Sequence, residues 1–194
     1  MLKLRFIAIA GMLVGSMLSI ASAQQAPFQP KVPAQYSATA FGQAGSAAGK
    51  SFGLTVFIEG LTTDGERDEL LGTLKQKGQD GVVSAMEDMK DKGRVAPTGS
   101  VGTGMRFVRI YPGTNGGQHI IMATDRPIAF GELYNGTRSR DYPIGIVVLD
   151  VDKDGKGTGS FAPVCKIKFN KKKELEIEHY GQKPFRLANV YLQK

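Results

Sequence analysis

The chain of 194 residues contains one cysteine and two histidines, and after its first two dozen residues it has no apolar run long enough to cross a bilayer. Each shortage excludes something. A single thiol, Cys165, leaves no internal disulfide, so the fold has to rest on a hydrophobic core. His119 and His179 stand at no spacing that forms a two-residue metal clamp, which removes the usual zinc sites. No Gly-x-Ser-x-Gly elbow presents an activated serine. Cys165 alternates with Ile167 and Phe169 on the apolar side of an expected strand, where a thiol packs rather than reacts. No segment recurs, which argues against a repeat architecture.

What is present begins with a targeting pattern. Lys3 and Arg5 precede the apolar stretch Phe6 to Ile20, and Ala21-Ser22-Ala23 supplies a small-x-small cleavage site. The apolar stretch falls short of the roughly 20 residues that a membrane span needs, so it is expected to be removed as a signal peptide. Gln24 follows the cleavage point instead of a cysteine, which argues against a lipid anchor. The expectation is a periplasmic or secreted protein with no transmembrane segment after cleavage.

The formal charge of +7 falls by two when Lys3 and Arg5 leave. The densest basic cluster is Lys166, Lys168 and Lys171 to Lys173, followed at alternate positions by Glu174, Glu176 and Glu178. If these two segments pair as a hairpin, lysines and glutamates lie opposite one another and cancel. No arginine-aromatic interleaving accompanies the lysines, so nucleic acid is not expected as a partner.

The spacing divides the chain into a signal peptide (1–23), a flexible leader (24–49) and a single α+β domain (50–194). The leader is rich in Gln, Ala, Pro, Ser and Gly, with too few apolar residues to offset the entropy of ordering it; the alternative is a strap whose aromatics lie on the domain surface. Alternation of Phe52, Leu54, Val56 and Ile58 predicts the first strand. Thr63 to Glu66 has the form of a capping box before a helix that carries Leu70, Leu71 and Leu74 and stops at Gly78. Asp80 is placed to cap a second helix bearing Val82, Val83, Met86 and Met89, giving a two-helix hairpin. From Arg106 onward the period is two. Strands are expected over 106–111, 118–124, 144–151, 161–169, 174–179 and 187–192, joined by Gly-rich turns of hairpin type. The near-continuous apolar run from Ile144 to Leu149 calls for cover on both faces. The fold class is α+β: an antiparallel curved sheet or partly closed barrel with the helical hairpin inserted after the first strand. The alternative is a two-sheet sandwich with the helices at one end.

Three motifs bear on function. Ala44 to Ser51 satisfies a relaxed phosphate-binding loop, but a strand rather than a helix follows it, so no amides or helix dipole are aimed at an anion. Asp150, Asp152 and Asp154 before Gly155 begin like a calcium loop, yet the twelfth position is Phe161 instead of a bidentate glutamate, and Asp-Gly is an ordinary turn dipeptide. The richest polar region runs from Thr124 to Tyr142. Its Arg126, Tyr134, Arg138, Arg140, Asp141 and Tyr142 are the candidate ligand-binding residues, because guanidinium forks and tyrosines suit an anionic or polar ligand or a protein partner. The same residues suit ion pairs that tie a long loop to a sheet.

Gly78-Gln79-Asp80, Ala123-Thr124-Asp125-Arg126-Pro127-Ile128, Asp141-Tyr142-Pro143 and Asp154-Gly155-Lys156-Gly157 together resemble a group of exported bacterial proteins of no assigned activity, over about Phe52 to Leu192. The resemblance implies a bacterial source and export, and it carries no residue roles. The functional expectation is a non-enzymatic module, without a cofactor, that binds a small ligand or an envelope protein. The alternatives are an enzyme using the cluster from Asp125 to Asp141 and a calcium-stabilised adhesion or structural protein.

Overall fold

The computed structural model describes residues 31–128, 141–179 and 183–193. Among these residues ten strands and one α-helix follow in the order β1 (Ala34–Phe41), β2 (Ser51–Ile58), α1 (Asp64–Glu87), β3 (Gly93–Pro97), β4 (Thr103–Met105), β5 (Phe107–Pro112), β6 (Gln118–Thr124), β7 (Ile144–Val151), β8 (Lys156–Phe169), β9 (Leu175–His179) and β10 (Phe185–Leu192). Among the described residues no helix is long and apolar enough to cross a membrane.

All strand pairings are antiparallel, and the sheet runs β4-β3-β2-β1-β10-β8-β7-β6-β5 with β9 attached to β8 alone. The two ends of that series, β4 and β5, are consecutive in the chain and separated only by Arg106. One continuous stave, bent at Arg106, therefore pairs with β3 through its first half and with β6 through its second, which makes the sheet a nearly closed barrel. With β9 set aside and β4 and β5 counted as one stave, the ring has eight staves. The seam is finished by single bonds: Arg106 N–H donates to Ala123 O at 3.0 Å, and Lys92 N–H to Met105 O at 2.8 Å. Thr62 fills the remaining gap, donating its N–H to Val108 O and accepting the Val108 N–H on its hydroxyl at 2.9 Å.

Alternation along the staves splits the apolar residues into two cores. Inward-facing Leu54, Val56, Met105, Ile120, Met122, Leu149, Phe161 and Leu187 fill the barrel, which matches an eight-stave ring whose interior is just wide enough for side chains. Ala38 and Ala40 of β1 share this interior with Phe161 and Phe185, whose rings lie 5.8 Å apart. The second core lies outside, where Leu70, Leu74, Val82 and Met86 of α1 cover Ile144, Ile146, Ala162 and Cys165. Strand β7 is thus enclosed on both faces, as its unbroken apolar run requires.

Two expectations are corrected. No hairpin of helices forms: α1 is one helix, kinked where Gly78 adopts φ 69° and ψ −164°. A single left-handed residue bends the chain, whereas reversing it takes a loop of roughly 2–5 residues. The apolar residues on both sides of the kink consequently reach the same outer barrel face. The capping box forms as expected, with Thr63 Oγ1 accepting from Glu66 N–H and Glu66 Oε2 accepting from Thr63 N–H at 2.7 Å. The second correction concerns the leader. Residues 34–41 are β1, paired over its whole length with β2 and also with β10, and Gly45–Ala47 is a short 3-10 turn. Strand β1 escapes a hydrophobicity reading because two of its three buried positions are alanines, sized for an interior already crowded by phenylalanines. Residues 24–30 of the expected leader and the expected signal peptide lie outside the described residues.

Candidate functional site

The barrel has one mouth formed by the start of β1, the end of β2, the β5–β6 and β7–β8 turns, and the end of β10. A cavity of about 510 Å³ opens there, lined among others by Lys31, Tyr36, Glu59, Gln118, Lys153 and Gln193. Its floor is Tyr36. The ring belongs to the apolar interior, and the hydroxyl donates to Gln118 Oε1 at 3.1 Å. Since β1 and β6 stand opposite one another in the ring of staves, this bond crosses the mouth and separates the dry core from the polar rim. Burial pushes the Tyr36 hydroxyl above its ordinary pKa, so it remains a neutral donor.

The rim is amide-rich and carries charges of both signs. Gln35 Nε2 donates to Gln193 Oε1, Gln193 Nε2 donates to Ser37 Oγ, and Gln193 N–H donates to Gln35 O at 2.7 Å, so β1 and the end of β10 are fastened together. The β7–β8 turn is held by Asp152, whose Oδ1 accepts the N–H groups of Asp154 and Lys156, both at 2.9 Å. Gly155 in that turn has φ 75°, and a Cβ there would stand 2.6 Å from the Cβ of Leu192. Close approach of the turn to the end of β10 therefore requires glycine. The result is a preformed concave site with backbone-fixed walls, offering amide donors and acceptors, one aromatic floor, and the side chains of Lys31, Lys153 and Glu59 at its edge.

The candidate residues between Arg126 and Tyr142 lie elsewhere. Arg126 grips Asp125 through two bonds of 3.0 and 2.9 Å. Burial works against the charge on Asp125, but Arg126, the Thr124 hydroxyl and the nearby Arg106 outweigh it and hold the carboxyl below its usual range. Arg106 also donates to Met89 O at 2.7 Å and pairs with Asp91 at 3.1 Å, so this charge cluster ties the barrel seam to the end of α1. The Tyr142 hydroxyl donates to Glu178 Oε1 at 2.6 Å. The Asp141 carbonyl accepts from Gln79 Nε2 at 3.1 Å. Tyr134, Arg138 and Arg140 fall outside the described residues. Arg126 and Tyr142, the two candidates with side-chain bonds on view, are held by different partners and do not converge on one another.

Two of the three aspartates in the calcium-like segment are taken up by separate roles. Asp150 on β7 meets His119 Nδ1 at 2.5 Å, and Asp152 is committed to the turn. Among the described residues no three His, Cys, Asp or Glu side chains gather as a metal site. Burial pushes the Cys165 thiol up to about 12, which keeps it protonated within the outer core. In the relaxed phosphate-loop segment, β2 begins at Ser51, so no helix follows the loop.

Sequence reasoning missed Tyr36 and Gln118. Tyr36 lies in the stretch assigned to the leader, and the signal that could have found it is the alternation Tyr36, Ala38, Ala40 with small residues accepted as interior positions. No family model, curated protein or solved structure matches the chain.

Proposed function

We propose that the protein is an exported, non-enzymatic binding module whose barrel mouth takes a small polar ligand. One observation carries this reading: the mouth cavity of about 510 Å³ sits over a tyrosine whose hydroxyl is already oriented by Gln118. Small-molecule sites are commonly preformed concavities at barrel mouths, with a few fixed polar groups set among apolar walls. Here the amides of Gln118 and Gln193 and the Tyr36 hydroxyl provide the fixed groups, and charges of both signs at the rim suit a ligand that is neutral or zwitterionic overall. The targeting pattern of residues 1–23 supports the export part of the proposal.

The test is a ligand-observed NMR screen of free amino acids, dipeptides and simple sugars against protein recovered from the periplasm with Gln24 at its amino terminus. At least one compound is expected to bind the wild-type chain and to lose about tenfold in affinity on Tyr36→Phe, the worth of one hydrogen bond. The substitution keeps the ring and hence the interior packing. Absence of any binder, or binders indifferent to this substitution and to Gln118→Ala, would count against the mouth as the site.

A further inference from the structure

Strand β8 outruns its neighbours. Its first part lies between β7 and β10, but from Lys166 to Phe169 it pairs only with β9, and the two form an arm that leaves the barrel. Lys166 faces Glu178 and Lys168 faces Glu176 across this arm, with Lys168 Nζ reaching Glu178 at 2.7 Å. On the other face the pairs are Ile167 with Ile177 and Phe169 with Leu175. Helix α1 packs over Ile167 and Phe169 but leaves Leu175 at 52% and Ile177 at 37% exposure.

The outer edge of β9 has no strand beside it among the described residues. Its polarity follows from the ladder. Ile167 N–H points away from β9, to Gln79 Oε1 at 2.9 Å. The opposed pair Ile167 and Ile177 is therefore of the non-hydrogen-bonded kind, and Ile177, like Leu175 two residues earlier, turns its N–H and C=O to the open edge. This edge is ready for strand addition.

The side chains decide what can be added. Antiparallel addition of a second β9 either sets glutamates against glutamates or, shifted by one residue, sets them against Ile177 and Leu175 on the apolar face. Both registers are unfavourable, so the edge rejects a copy of itself. An incoming strand with lysine or arginine at alternate positions would instead continue the sequence Lys168, Glu176, cation across three strands, and its apolar residues would cover Leu175 and Ile177. We propose that β9 receives an extended segment of a partner protein in which basic and apolar residues alternate.

The full mature chain is titrated with a dye-labelled, end-blocked peptide of alternating lysine and valine, and with its glutamate counterpart. The protein is itself net basic, so general electrostatics disfavours the lysine peptide and only the glutamate row along β9 favours it. The lysine peptide is expected to bind about tenfold or more tightly than the glutamate peptide, and to weaken as salt rises. Ile177→Pro, which removes an outward donor and leaves the bonds to β8 in place, is expected to weaken binding by about tenfold. The double substitution Glu174→Lys with Glu176→Lys is expected to reverse the preference between the peptides, and it decides the matter should the proline variant melt early. Equal binding of the two peptides, no binding of the lysine peptide, or an unchanged preference in the double variant overturns the proposal. So does a dimer of the wild-type chain that Ile177→Pro dissociates, since a second copy would then occupy the edge.

Discussion

Strand β8 contains two regions that obey different rules. From Lys156 to about Ala162 its backbone is paired on both sides, by β7 and β10, and its inward residue Phe161 is wholly buried against Phe185. From Lys166 to Phe169 it is paired on one side, and on its other side a side chain, Gln79, accepts from Ile167 N–H and donates to Asp141 O. In the barrel, closure takes care of the polar backbone and leaves side chains free for packing. In the arm, side chains must do the backbone's work, and stability is correspondingly local.

This contrast is easiest to break by truncation. Phe161→Ala in the barrel interior is expected to cost about 3–5 kcal/mol in urea unfolding, because it leaves a cavity among close-packed side chains. Leu175→Ala on the half-exposed arm is expected to change stability by less than about 0.5 kcal/mol. Similar losses at the two positions would show that the arm is as integral as the ring. Gln79→Leu is intermediate: it keeps the volume but strands the Ile167 N–H, at a cost of about 1–3 kcal/mol. Amide exchange at Ile167 is expected to accelerate while exchange at Leu149, inside the ring, slows or speeds only with global stability.

A smaller effect concerns acid. Asp125 is buried and its folded pKa lies below its unfolded value near 4, so the carboxylate stabilises the fold fully above that unfolded value and loses its contribution as pH falls through the lower folded one. Asp125→Asn is expected to lower the melting temperature above about pH 5 and to flatten the acid limb below it, so that the variant and wild-type curves converge as pH falls. An unaltered acid limb would place the acid sensitivity in other carboxylates.

Much of the ring was legible because its staves alternate. Phe52 to Ile58 and Gln118 to Thr124 have a period of two with large apolar residues on one face, Ile144 to Val151 is an apolar run of strand length, and the turns between Asp152 and Lys156 and around Asn170 carry residues that turns favour. The lysine and glutamate ladder of the arm was legible for the same reason. What escaped was set by tertiary context. Strand β1 fills its interior positions with alanine, β3 is short and bounded by Gly93 and Pro97, and β4 is only Thr103–Met105. Each depends on neighbours for its strand character. Gly78 was correctly marked as a helix breaker, yet local sequence does not specify whether a break bends a helix or reverses it; the shared outer core settles that. The candidate site shifted for a related reason. A density of arginine, aspartate and tyrosine between residues 125 and 142 signals strong polar chemistry, and the residues on view there spend it on internal bonds. The mouth is assembled from Tyr36, Gln118 and Gln193, which are far apart in sequence and individually unremarked.

The choice between these two places is tested most directly by mapping backbone amide shifts while the wild-type chain is titrated with a polar compound found to bind it. Shifts centred on Tyr36, Gln118, Asp152 and Gln193 are expected. Shifts centred on Asp125, Arg126 and Tyr142, with the barrel mouth unmoved, would contradict the assignment of the ligand site to the mouth.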